Sequence, residues 1–329
     1  MIEAIVRMIL GIDISKLSMD VTLWQGEQRF YARFPNNAPG VKQLLAWLAS
    51  HEVVALHVCM EATNVYWEKV AEALVAADYK VSVVNPRRIK GFAMSQMQRN
   101  KTDKLDSQVI AAYCAALNPE GWEPPSAVQE QLRALERHRL DLKRSLKQHK
   151  NRQADVRNKD VRASLQRVID ALETELKQVE KQVDELTSRQ QEFREQKELL
   201  TSITGIGPKS ANLLLAEMPN LGQYQSARSA AADAGVTPAH HQSGTSVKHK
   251  TKISKIGKSV VRSELFMPAL NAMRTNPVLR TFAQRLRAKG CPELVIVCAV
   301  IRKLIHLCYG VLKHKKPFDP TYGLASSPA

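Results

Sequence analysis

Four acidic residues in the first third of the chain have the type and setting for metal-assisted phosphoryl chemistry. Asp13 sits in LGIDISK, Glu61 in VCMEATNVY, and Asp103 and Asp106 in NKTDKLD. Each lies at the end of an apolar run or at the start of a helix that follows one. A carboxylate in such a place needs a partner or a metal. Mg²⁺ prefers hard oxygen ligands, with Mn²⁺ a workable substitute. Two ions about 3.5–4 Å apart can hold both the attacking and the leaving oxygen of an in-line displacement. Four acids gathered without a cation repel, and some are driven neutral. Asp103 and Asp106 also have a plainer reading, in which Asp103 caps the helix and Asp106 favours its N-terminal dipole.

Basic residues surround the acids. After residue 85 the chain turns basic, with Arg87, Arg88, Lys90, Arg99, Lys101 and Lys104 running up to and into the aspartate pair. They suit a phosphate backbone laid over the site, or else form a solvated face. Over 329 residues the formal net charge is +16, which points to a polyanionic partner, most often nucleic acid. Aromatic residues are 5% of the chain and no basic amphipathic segment has an aromatic edge, so a membrane surface is not the expected partner. No run of eighteen apolar residues suggests a spanning helix. The five cysteines are odd in number, lie in apolar stretches and show no ligand spacing, which fits a reducing, cytoplasmic setting rather than zinc or disulfides.

The elements that must position the acids can be read from periodicity. Residues 5–14 form a mainly β-branched, apolar run. Residues 19–24 and 28–34 read as strands joined by a tight hairpin through Gly26. A helix (39–50), a strand (53–60), a helix (64–77), a strand (81–85) and a helix from 103 follow. Three leading strands and then alternating helices predict a mixed sheet of the ribonuclease-H type. Side chains at adjacent strand ends of such a sheet lie about 5 Å apart, so Asp13 and Glu61 could share an ion. Asp103 and Asp106 fall on one face of a first helical turn, about 4.5 Å apart along its axis.

Pro124-Pro125 closes this first domain, 1–125. Residues 126–204 contain neither Gly nor Pro and read as helix. One straight helix there would span roughly 110 Å, so a helical hairpin is expected over 126–197, bending near 157–161. Leu165, Val168, Leu172, Leu176, Val179, Val183 and Leu186 make a coiled-coil stripe. It either closes the hairpin or pairs protomers, and pairing is the favoured expectation.

The last segment, 198–329, is mainly helical. TSITGIGPKSA has the pattern of a helix–hairpin–helix, with Gly205 and Gly207 in the turn and Lys209 beyond it, a backbone grip on phosphate that reads no sequence. A basic, polar loop follows at 235–258. It holds His240, His241 and the Ser243-Gly244 pair, then Lys248, Lys250 and further lysines. Taken alone, a Ser-Gly in such a loop reads as a turn or phosphate contact rather than a nucleophile.

Taken together and in order, GIDISK, VCMEAT, NKTDKLD, SITGIGPKSA, AGVTPAHHQSGTS and SKIGKSVVRSELFMPAL resemble the DEDD transposases of the insertion-sequence 110 group and their Piv-type invertase relatives, from about residue 9 to 320. The resemblance implies a RuvC-like DEDD domain with Asp13, Glu61, Asp103 and Asp106 as its Mg²⁺-binding acids, and Ser243 as the catalytic serine. It implies recombination of donor and target DNA through a covalent phosphoserine link, guided by a structured noncoding RNA. It also implies a homodimer or homotetramer in which one protomer's acids work with another's serine, acting at the bacterial nucleoid. A hydrolytic endonuclease of the Holliday-junction-resolvase kind is the alternative, with water as attacker. A sugar kinase of the actin-like fold lacks its second phosphate loop here, and a non-catalytic nucleic-acid-binding protein would leave the acids unexplained.

Overall fold

The computed structural model describes residues 8–53, 55–63, 65–96, 102–239, 242–243, 247–248 and 252–321. The chain divides into two compact units, Met1–Pro125 and Ser126–Ala329.

The first unit is built on one five-stranded mixed sheet. Its strands are β1 (Met8–Ile14), β2 (Ser18–Gln25), β3 (Gln28–Pro35), β4 (Leu56–Glu61) and β5 (Lys80–Val84), in spatial order β3-β2-β1-β4-β5. The first three pair antiparallel; β1–β4 and β4–β5 are parallel. Gly26, at φ +60°, makes the β2–β3 turn. Successive strand side chains alternate between faces, and that period sorts the sheet. Leu10, Ile12, Met19, Val21, Leu23, Val58 and Met60 enter one core with α1 (Ala38–Ser50) and α2 (Glu68–Ala76). Ile9 and Cys59 enter a second core with α3 (Pro86–Ser95) and α4 (Asp103–Leu117). Each fully buried Leu, Ile or Met contributes roughly 1.5–3 kcal/mol, which ties the strand register to these two cores.

Helix α3 departs from the expectation that the chain is merely basic after residue 85. Pro86 ends β5 and also supplies the first helical position, where its missing N–H costs nothing. The Asn85 side chain caps α3 by accepting from the Arg87 amide at 2.9 Å.

In the second unit, α5 (Ala127–Asp155) and α6 (Lys159–Arg189) pack along each other as a helical hairpin. The bend falls at 156–158, and Asn158 caps α6. The expected apolar stripe needs one correction: Val168 is 40% exposed, while Ile169 is buried. A straight helix of 3.6 residues per turn drifts from a strict seven-residue repeat, so the buried position moves over by one. Leu165, Ile169, Val179 and Val183 are buried within the one chain, so the stripe closes the hairpin.

The remaining helices are α7 (Gln191–Thr201), α8 (Pro208–Glu217), α9 (Ala227–Asp233), α10 (Ser259–Glu264), α11 (Phe266–Thr275), α12 (Pro277–Ala288) and α13 (Glu293–His314). Between α9 and α10 lie the two-residue strands β6 (Pro238–Ala239), β7 (Gln242–Ser243), β8 (Val247–Lys248) and β9 (Lys252–Ile253). Helix α13 is long and apolar enough to cross a membrane by length and composition. Half of its apolar window is buried in this unit, where Ile296, Val300, Leu304 and Cys308 are core residues.

Candidate active site

Gly11 explains how α4 reaches the sheet. A Cβ there would lie 2.2 Å from the Ser107 carbonyl oxygen and 2.4 Å from the Ala111 amide nitrogen. Only glycine lets the helix backbone rest on β1 this closely. A buried hydroxyl pair, Thr22 Oγ1 to Ser107 Oγ at 2.7 Å, ties the same helix to β2. Asp13 lies two residues beyond Gly11, on the same face of β1. The first turn of α4, with Asp103 and Asp106, is thereby brought to the end of β1.

Thr102, not Asp103, caps α4: its hydroxyl accepts from the Leu105 amide at 3.3 Å. Asp103 is thus released from the capping role and extends into solvent, 62% exposed. On the other flank, Gly11 pairs with Cys59 and Ile12 with Met60, so Asp13 and Glu61 come next on neighbouring parallel strands. Glu61 ends β4, half-buried, and accepts from the Thr63 hydroxyl at 3.3 Å.

The electrostatics show the gathering. Asp13 is pushed up from 3.8 to about 6, first by burial and then by the charges of Asp106, Asp103, Glu61 and Asp20. Four carboxylates therefore act on one.

Asp20 was missed in the sequence. It lies directly opposite Asp13 in the β1–β2 ladder and is only 2% exposed. In a strand that alternates apolar and polar residues, an aspartate looks like part of the wet face, and that is why it escaped notice. Its surroundings are specific. Tyr31 donates to Asp20 Oδ1 at 2.6 Å, which pushes the phenol up to about 12. Arg33 Nε stands 3.6 Å from Asp20 Oδ2, and Arg33 Nη2 stands 3.9 Å from Asp103 Oδ2 and donates to Ser18 Oγ at 3.0 Å. Arg33 is thus a cation set between two of the five acids.

Among the described residues, no three His, Cys, Asp or Glu side chains stand close enough to share an ion as placed. The donor chemistry nonetheless fits a hard divalent cation. The donors are all carboxylate oxygens, and the field that raises Asp13 is the one a cation relieves. Gathering them needs side-chain rotation, most of all at exposed Asp103.

The other sequence candidates belong to other elements. Arg87 and Arg88 are exposed at the start of α3. Arg99, Lys101, His240, His241, Gly244 and Lys250 lie outside the described residues. Ser243 belongs to β7, where its Cα pairs with Val247 of β8, the strand that also holds Lys248. Gly205 adopts φ +111° between α7 and α8, and an added Cβ would lie 2.5 Å from that of Ala272. Gly207 caps α8 with open space at its Cβ position. Lys209 is already paired with Glu180 at 2.5 Å.

A carboxylate-lined sheet end facing a helix start, on a strongly basic chain, joins the donor chemistry of a hard-cation site to a charge that suits a polyanionic partner. Comparison with known proteins narrows this. A transposase model of the DEDD insertion-sequence 110 type matches residues 10–156, and one described as Transposase IS116/IS110/IS902 family matches 197–284. The chain is 34% identical to the pilin gene-inverting proteins of Moraxella bovis and of Moraxella lacunata, over 94% of its own length and 97% of theirs. It is 28% identical to an uncharacterized 43.6 kDa protein of insertion element IS110 from Streptomyces coelicolor, over 35% of this chain and 28% of that one. The chain belongs to the insertion-sequence 110 family of transposases and recombinases.

Proposed function

We propose that this chain recombines DNA at specific sites through a covalent phosphoserine link, with divalent metal at the acids and a structured noncoding RNA as guide. The observation that carries the reading is the convergence of Asp106, Asp103, Glu61 and Asp20 on Asp13. In this account the first unit is an RNase H-like, RuvC-like domain. Residues 126–197 form a coiled-coil hairpin, and 198–329 a C-terminal domain with a helix–hairpin–helix at Gly205–Gly207. The five-stranded mixed sheet, the α5–α6 pair and the α7–α8 turn support those assignments.

When bound, Mg²⁺ or Mn²⁺ would supply charge neutralisation and steadying of the leaving oxygen. Asp13, Glu61, Asp103 and Asp106 would hold it. Asp20 stays buried, fixed by Tyr31 and Arg33, and keeps the local field negative. The Ser243 hydroxyl attacks a backbone phosphorus. The Oγ–P bond forms, the P–O3′ bond breaks, the serine proton passes to a base, and the 3′ oxygen gains a proton. A 3′ hydroxyl from the other DNA partner then reverses the step, so the phosphodiester is conserved without ATP. A serine hydroxyl needs activation near neutral pH, and the acids of one protomer serve the serine of another in a dimer or tetramer. RNA guidance rests on the resemblance, and a net charge of +16 supports a polyanionic partner. The setting is the bacterial cytoplasm, at the nucleoid.

The test is denaturing electrophoresis of the protein incubated with donor and target DNA and copurified RNA. A covalent protein–DNA adduct is expected, lost on Ser243→Ala while DNA binding persists. Free cleaved ends with no adduct would move the reading to a hydrolytic nuclease.

A further inference from the structure

Apart from the acids, the second unit holds a group of cations without an acidic partner among the described residues. From Ser259 to Lys316 there are eleven Lys and Arg residues against two acids, Glu264 and Glu293. Both acids are engaged, Glu264 with Lys143 and Glu293 with Arg287. Arg302 and His306 lie four apart on one face of α13, with Lys303 beside them, and α9, which carries Arg228, packs on the same helix. Arg228 and Lys303 are exposed; Arg302 and His306 are half-buried. None of Arg228, Arg302 and Lys303 has an ion pair among the described residues. Arg302 Nε and His306 Nε2 are each buried without a hydrogen-bond partner there. Lys303 Nζ and Arg285 Cζ flank the Phe282 ring, at 5.6 and 5.5 Å from its centre, and extend the positive surface onto α12.

Like charges set together, with ring and guanidinium nitrogens lacking acceptors, are unfavourable unless an anion is shared between them. The same field acts on the imidazole: burial and then Arg302, Lys303 and Arg228 push His306 down to about 4, so it is neutral near pH 7 and leaves the anion to the three cations. Asp233, the acid on α9, is taken up by Lys258 and Tyr224.

We propose that Arg228, Arg302 and Lys303, with His306 beside them, form a phosphate-binding site for a polynucleotide backbone, distinct in its residues from the carboxylate site. Exposed Arg228 and Lys303 draw the phosphate in, and Arg302 and His306 supply donors behind it. DNA and RNA share this chemistry, so both are probes in the test.

The experiment measures binding of a 20-base-pair duplex and of a 20-nucleotide RNA by fluorescence anisotropy across a salt series. It uses the full chain carrying Asp13→Asn, so that cleavage does not intrude and failure of the catalytic reading leaves this result intact. Each phosphate contact adds about 0.9 to the salt slope on duplex DNA, about eightfold in affinity at 0.1 M salt. Arg228→Gln with Lys303→Gln, both on exposed side chains, is expected to lower the slope by about 1.8 and the affinity by roughly 60-fold. Arg228→Lys with Lys303→Arg should retain both. Loss with duplex alone assigns the site to DNA, and loss with RNA alone assigns it to RNA. The His306 ring resonances should also shift on adding either probe to the unsubstituted site. Unchanged binding to both probes overturns the proposal. So does an equal loss from Lys42→Gln with Lys69→Gln, which removes the same charge from exposed positions in the first unit.

Discussion

Asp13→Asn should stabilise the metal-free protein while removing its catalysis. In the folded chain Asp13 is raised from 3.8 to about 6 by burial and by four neighbouring carboxylates. The native state therefore holds this proton more tightly than the unfolded chain does. Asp13 costs nothing below about pH 4. Its cost grows as pH rises and is complete above about pH 6, so stability falls through that window. At 1.36 kcal/mol per pH unit the full cost is about 3 kcal/mol, and partial solvent access lowers it to about 1–3 kcal/mol. All four tryptophans, Trp24, Trp47, Trp67 and Trp122, belong to the first unit. Tryptophan fluorescence in urea therefore follows that unit alone. In EDTA at pH 8 the variant's midpoint should rise by about 0.5–1.5 M, taking a slope near 2 kcal/mol per M, and at pH 4 the two proteins should coincide. Saturating Mg²⁺ should close the gap at pH 8 by stabilising only the unsubstituted protein. A variant no more stable than the parent at pH 8 without metal would refute the crowding of charge at Asp13.

Three more expectations follow from the same geometry. Gly11→Ala forces α4 off β1 and should cost about 1–3 kcal/mol by overpacking; urea midpoints measure it, and strand exchange should fall further than stability explains. Arg33→Gln removes a cation from beside Asp103 and Asp20, and should tighten Mn²⁺ binding by up to about tenfold on Coulomb grounds, as read by calorimetric titration; weaker binding would mean that Arg33 chiefly holds the acids in place. Mixing Asp13→Asn protein with Ser243→Ala protein should restore part of the strand exchange that each has lost, measured on a two-duplex substrate; no recovery at any ratio would argue for acids and serine acting within one protomer.

Much of the first unit was legible because its signals are local. The β-branched run ending at Asp13, the glycine turn at Gly26 and the helical period after residue 103 each announce one element. The close approach at Gly11 was not legible, since glycine in a strand reads equally as weakness or as contact. Asp20 was hidden for a related reason: which face of β2 meets α4 is settled by packing, through Thr22 and Ser107, not by the strand's own pattern. Helix α3 was masked by Pro86, which ends a strand and opens a helix with the same residue. The Val168-to-Ile169 shift came from helix phase accumulating over several turns. In the second unit, Arg228 acts on the same imidazole as Arg302 and Lys303 only through the packing of α9 on α13, across some seventy residues of chain, and no local period joins them.

Five carboxylates share one field, and four of them, Asp13, Glu61, Asp103 and Asp106, are proposed to hold the divalent cation. Calorimetric titration of Mn²⁺ into the full chain tests this directly, beside Asp13→Asn, Glu61→Gln and Asp106→Asn. The expected result is saturable binding that is abolished in Asp13→Asn and weakened about tenfold or more in the other two. Mn²⁺ binding left unchanged by all three substitutions would contradict it.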